Sequence, residues 1–123
     1  MSEYPFSERE QDAIRELGKA GFRYVRETKK AVEFTNELGQ FIELNREHSE
    51  IALVFGFGVA SDCASIQHVN GTGTRASSNF RGLDQSLTKN GKSNHQGQQV
   101  VVDHRSAIQI VVETMMKSGK VSA

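Results

Sequence analysis

Two histidines are the strongest candidates for acid–base catalysis in this sequence. His95 lies in a long polar stretch, and His104 directly follows Asp103 at a predicted strand-to-helix junction. An imidazole can act as a general acid or base near neutral pH, and Lys92 would stabilise a phosphate held beside such a pair. These residues leave open a small hydrolase or nuclease-like enzyme that uses His95 and His104.

Two glycine-containing segments approach phosphate-binding motifs without matching them. Residues 70–76, NGTGTRA, have the loose glycine spacing of a dinucleotide-binding turn, but only a short apolar run precedes them and no apolar helix follows. Residues 90–93, NGKS, resemble the end of a phosphate-binding loop, but Ser86 stands where the first glycine is required. We expect no nucleotide cofactor and interpret residues 70–76 as a flexible turn.

Metal and thiol chemistry have little support. Cys63 is the only cysteine, so no intrachain disulfide can form, and we interpret it as a small buried hydrophobic residue. The four histidines are scattered and lack the paired spacing that is typical of metal sites. We therefore expect no metal and no cofactor.

The stretch from residue 67 to residue 99 is unusually polar, since only five of its 33 residues are apolar. We interpret it as a long loop or insertion within a single domain spanning residues 1–123. Loops of this length inside a compact domain are generally functional, or order only when a partner binds. The candidate partner-binding residues in it are Asn79, Arg81, Asp84, Lys92 and His95.

Charge is balanced overall but divided along the chain. Residues 1–62 carry a net charge of −4, and residues 63–123 carry +4. A neutral chain does not favour nucleic acid as a partner. Glu43 and Glu47, on the predicted sheet and its turns, would suit a basic protein partner, although a solvated sheet face is the simpler explanation.

Helix signals stand near both ends of the chain. Ser7-Glu8-Arg9-Glu10 forms a capping box, which predicts a helix over residues 8–20. Near the other end, Asp103 is placed to cap an apolar helix over residues 105–118, which Gly119 would end.

Between these helices the apolar residues alternate with a period of two. Four short strands joined by turns between residues 22 and 57 predict an antiparallel meander, and residues 98–102 predict a later strand. The predicted fold is α+β: an N-terminal helix, a four-stranded antiparallel meander extended by a later strand, a C-terminal helix packed on the sheet, and the long polar insertion.

Residues 51–57, IALVFGF, are apolar on both sides of the predicted strand. This pattern is typical of a strand inside a sheet, with one face on the core and the other covered by a helix or a partner. A structural subunit completed by homodimerisation is therefore a further alternative.

This layout resembles the small bacterial immunity proteins that neutralise contact-dependent growth inhibition toxins. The resemblance covers the general plan of the chain and the segments Ser78-Asn79-Phe80-Arg81, Asn90-Gly91-Lys92 and Gly97-Gln98-Gln99-Val100. It implies tight, non-enzymatic binding of a cognate toxin domain, whose active site the immunity protein blocks. The resemblance transfers no individual binding position.

Location is predicted from what the sequence lacks. The first residues have no basic and apolar signal pattern, and the longest apolar runs are only a few residues. We expect a cytoplasmic protein, monomeric or homodimeric, with neither a membrane nor a nucleic acid as partner.

Overall fold

The computed structural model describes residues 5–76 and 96–121. Its strands form one antiparallel sheet in the order β1-β2-β3-β4-β6-β5, which confirms the predicted α+β fold with its meander and later strand. The elements are α1 (Glu8–Lys19), β1 (Arg23–Glu27), β2 (Ala31–Thr35), β3 (Phe41–Asn45), β4 (Ile51–Phe55), β5 (Val69–Ala76), β6 (Gln96–Val102) and α2 (Ile108–Val121), with 3-10 turns at Ala60–Cys63 and Arg105–Ala107.

The first helix begins as its capping box predicts. The Ser7 hydroxyl accepts a hydrogen bond from the Glu10 N–H, and the Glu10 carboxylate accepts one from the Ser7 N–H. The helix ends at Lys19, one residue earlier than predicted. Gly21, with φ of 91°, then turns the chain toward β1 in a conformation that favours glycine.

Strand β4 is one of the two central strands of the sheet, as its apolar sequence predicts, although it ends at Phe55 rather than Phe57. Ile51, Leu53 and Phe55 belong to the core that both helices share. We call this side of the sheet its inner face. Ala52 and Val54 point to the opposite, outer face and are fully buried there, so a second copy is not needed to cover this strand.

The polar stretch differs from the prediction. Residues 69–76 form strand β5 and β6 begins at Gln96, so the predicted loop over 67–99 contains an edge strand and part of a second strand. The interpretation of residues 70–76 as a flexible turn is wrong for the same reason. An edge strand contributes few side chains to the core, so glycine and threonine can form it without an apolar alternation.

The junction after β6 also differs in detail. The His104 imidazole, not the Asp103 carboxylate, accepts the capping hydrogen bond, from the Ser106 N–H. A short 3-10 turn precedes α2, and the helix continues past Gly119 to Val121. Among the residues that the model describes, no helix is long and apolar enough to cross a membrane.

Candidate functional site

The sheet register brings polar residues together at one end. Ile51, Val102 and Val69 lie side by side on β4, β6 and β5. The residue just beyond each of them along its strand therefore reaches the same end of the sheet. These residues are Glu50, Asp103 and His68, and together with Asn70 and His104 they form what we call the histidine end.

His68 and Asp103 are joined through both side chain and backbone. His68 Nδ1 lies 2.8 Å from Asp103 Oδ1, and the Asp103 N–H donates to the His68 carbonyl at 2.9 Å. Because a carboxylate only accepts hydrogen bonds, His68 Nδ1 must be the donor. In the neutral ring Nε2 then carries the lone pair, and the two side chains remain 39% and 42% exposed.

His104 is held in the complementary tautomer. Its Nδ1 accepts a hydrogen bond from the Ser106 N–H at 3.0 Å and lies 2.8 Å from Ser106 Oγ. A backbone N–H can only donate, so the proton of the neutral His104 ring must be on Nε2. The centres of the His68 and His104 rings are 5.3 Å apart. The pair thus presents one accepting and one donating ring nitrogen.

The backbone at His68 is strained. Its φ of 74° makes it the one non-glycine residue with positive φ in the described part of the chain. Left-handed backbone costs a non-glycine residue roughly 1–2 kcal/mol. Such strain is retained where surrounding contacts fix the conformation, and here the two links to Asp103 do so.

A further hydrogen bond holds Asn70 and Glu50 at the histidine end. Asn70 Nδ2 donates to Glu50 Oε2 at 2.7 Å, which ties the start of β5 to the turn before β4. An open cleft of about 390 Å³ adjoins Asp103 and His104.

Two arginines line this cleft, and the charges around it are mixed. Arg105 pairs with Asp12 at 3.4 Å, and the Arg9 guanidinium donates to the His48 carbonyl at 3.2 Å. Since the cleft is also lined by the carboxylates of Glu8, Asp12 and Asp103, it suits a mixed polar protein surface better than a polyanion.

The predicted partner-binding residues divide into two groups. Asn79, Arg81, Asp84, Lys92 and His95 all lie outside the described residues. Glu47 is exposed on the turn between β3 and β4, near the histidine end. Glu43 sits on the outer face opposite Val54 and is only 5% exposed, so its carboxylate does not lie on a solvated surface as expected.

The sheet also bears on the predicted pairing of His95 with His104. His95 itself lies outside the described residues, but its neighbour Gln96 begins β6, whereas His104 follows the other end of that strand. A seven-residue strand spans roughly 20 Å. The structure instead places His104 beside His68, which was not among the predicted acid and base residues.

Cys63 and metal ligation contribute nothing to this site. The Cys63 thiol is fully buried, and burial together with nearby Asp62 raises its pKa to about 11, so it is no nucleophile at neutral pH. Within residues 5–76 and 96–121, no three side chains of histidine, cysteine, aspartate or glutamate are grouped as metal ligands would be.

Comparison of the chain with family models, curated proteins and solved structures finds no match in any of the three.

Proposed function

We propose that this chain is a non-enzymatic binding protein of the immunity type, which neutralises a cognate toxin domain in the cytoplasm by covering its active site. The observation that carries the proposal is the histidine end. There His68, Asp103, Glu50 and Asn70 are exposed or half-buried, yet each is already held by a hydrogen bond of 2.7–2.8 Å.

Preorganised polar groups favour tight protein binding. Ordering a free side chain at an interface costs about 0.5–1.5 kcal/mol, and side chains already held in place avoid much of that cost. Donors, acceptors and both signs of charge lie together at this end of the sheet. Such a mixture gives specificity for one complementary protein surface.

The partner surface we propose includes Glu47, on the turn beside this end. Its exposed carboxylate would face a basic region of the toxin domain. The predicted partner contacts Asn79, Arg81, Asp84, Lys92 and His95 remain part of this proposal, whereas Glu43 leaves it because its side chain is buried.

Affinity capture tests the proposal. The tagged chain is used as bait in extracts of its native host, and a protein retained in stoichiometric amount after a high-salt wash is identified by mass spectrometry. The recovered domain is then titrated with Glu47→Lys and Asp103→Ala variants, and with Lys117→Ala on exposed α2 as the matched control. We expect at least about tenfold weaker binding for the first two variants and wild-type affinity for the control. Equal affinities for all three would remove the histidine end from the interface.

The paired imidazoles favour a second candidate, a small hydrolase. His68 Nε2 would act as the base that deprotonates a water molecule, and His104 Nε2–H would stabilise the developing oxyanion. The test measures hydrolysis of p-nitrophenyl acetate and of a single-stranded RNA oligonucleotide against free imidazole at equal concentration. This candidate requires turnover above imidazole that His68→Gln abolishes; a rate equal to that of imidazole on both probes contradicts it.

A further inference from the structure

The two edges of the sheet differ in how they are protected. At one edge β1 is short, carries Arg23, Arg26 and Glu27, and shifts register between Tyr24 and Arg26. Short length, charge and an irregular register are the features by which proteins prevent other strands from pairing with an edge. The β1 edge is therefore protected against pairing with another strand.

At the other edge, β5 has fewer of these features: its one charged residue is Arg75, near its end, and its one register shift lies between Val69 and Gly71. The strand has eight residues, and Val69 to Thr74 include no charged residue and no proline. Its register is regular after Gly71, and Asn70, Thr72, Gly73 and Thr74 are exposed. Among the described strands β5 pairs with β6 alone, so every second residue presents its N–H and C=O outward.

Gly71 and Gly73 have no side chain that could obstruct a strand approaching the β5 edge. A Cβ atom at Gly71 or Gly73 would meet nothing within 4 Å, and neither residue has a positive φ. Crowding and backbone conformation thus do not require glycine at these positions. The effect of glycine here is that no side chain shields the backbone from an approaching strand.

We propose that the β5 edge is a homodimer interface, in which β5 pairs antiparallel with β5 of a second copy and joins the two sheets. A second copy fits because the segment from Val69 to Thr74 is neutral, so self-pairing brings no like charges together. A two-fold axis across the pair lets each strand satisfy the same backbone groups of the other. This proposal does not depend on toxin binding.

The test is the mass of the full chain in solution, measured by light scattering and sedimentation from micromolar to millimolar concentration. We expect a concentration-dependent dimer. The double variant Thr72→Lys with Thr74→Lys brings like charges together across the paired β5 strands. The dissociation constant of the dimer should therefore rise at least about tenfold. Val25→Lys, at the exposed edge of β1, is the matched control and keeps the dimer.

Several results would overturn the proposal. A wild-type chain that stays monomeric at millimolar concentration contradicts it, even if another protein adds a strand to β5. A dimer that survives in the double variant, or is lost in Val25→Lys, places the interface elsewhere. Thermal melting of each variant establishes that it is folded; if the double variant is unfolded, the single variant Thr74→Lys replaces it.

Discussion

His68 and Asp103 are 35 positions apart in the chain, yet they are joined by a side-chain hydrogen bond of 2.8 Å and a backbone hydrogen bond of 2.9 Å. These two bonds extend the contact between β5 and β6 by one residue beyond their last pair, Val69 and Val102. They also hold His68 in left-handed backbone. The link therefore fixes both the ring orientation and the end of the sheet.

The strain at His68 predicts an unusual order of variant stabilities. His68→Ala and His68→Gly both lose the imidazole, but only glycine adopts positive φ without steric cost. We expect the glycine variant to be more stable than the alanine variant by about 1 kcal/mol, because relief of strain exceeds the entropy cost of glycine. Urea denaturation measures both. An alanine variant as stable as the glycine variant would show that position 68 is not strained.

Two glycines, Gly58 and Gly18, predict different effects of alanine substitution on stability. Gly58 has φ of 81°, and a Cβ atom there would lie 2.5 Å from the Met115 carbonyl oxygen of α2. Because that oxygen belongs to the helix backbone, it cannot easily move. We expect Gly58→Ala to lower the free energy of unfolding by at least about 2 kcal/mol.

Gly18 in α1 is the matched control for Gly58. A Cβ atom at Gly18 meets nothing within 4 Å, and the residue is helical. Since alanine forms helix better than glycine, Gly18→Ala should raise the free energy of unfolding by about 0.5 kcal/mol. Glycine-to-alanine substitution should thus change the free energy of unfolding in opposite directions at the two sites. Thermal melting of both variants checks the prediction.

The buried pair of Glu10 and Arg46 predicts acid sensitivity. Burial alone would raise the pKa of Glu10, but the hydrogen bonds from Arg46 and from the Ser7 N–H outweigh it and hold the pKa below its ordinary value of 4.5. A lowered folded-state pKa stabilises the fold above the unfolded-state value. This stabilisation is lost as the pH falls through the folded-state pKa.

Denaturation of wild type and Glu10→Gln at several pH values measures this effect. We expect the wild type to be more stable at pH 7 and the difference to shrink toward pH 3. Glu113→Gln, in an exposed pair with Lys117, is the control and should change little at either pH. A stability difference between wild type and Glu10→Gln that does not change with pH would contradict the lowered pKa of Glu10.

How far the sequence predicts the fold is clear from particular elements. The capping box at Ser7 and the apolar pattern of residues 51–55 each identify an element, because local hydrogen bonding and burial act within a few residues. Strand β5 escaped prediction because its glycines and threonines occupy a sheet edge, where pairing with β6 rather than burial stabilises the strand.

The sequence identified only one of the two histidines at the histidine end. His104 was a candidate because Asp103 precedes it, but its neighbour in space is His68. No local pattern relates position 68 to position 103. Their contact follows from the register of β5 on β6, so that register, once known, would have identified the pair. Glu43 was misjudged because alternation places it on the outer face but does not tell that this face is buried there.

Substitution of the predicted partner contacts Arg81 and Lys92 is expected to affect binding but not stability. Changing Arg81 and Lys92 together to alanine should weaken the complex with the captured partner, because two cations would leave the interface. The melting temperature of the free chain should not fall. Calorimetric titration measures the affinity, with Lys117→Ala as the control. An unchanged affinity would remove this segment from the interface.

Neutralisation of the captured partner is the sharpest test of the immunity function. The recovered domain is expressed in a sensitive host with and without this chain, and growth is followed. We expect the domain alone to stop growth, and co-expression of this chain to restore growth through a one-to-one complex. A domain that is harmless alone, or growth arrest that persists although the complex forms, would contradict the immunity function.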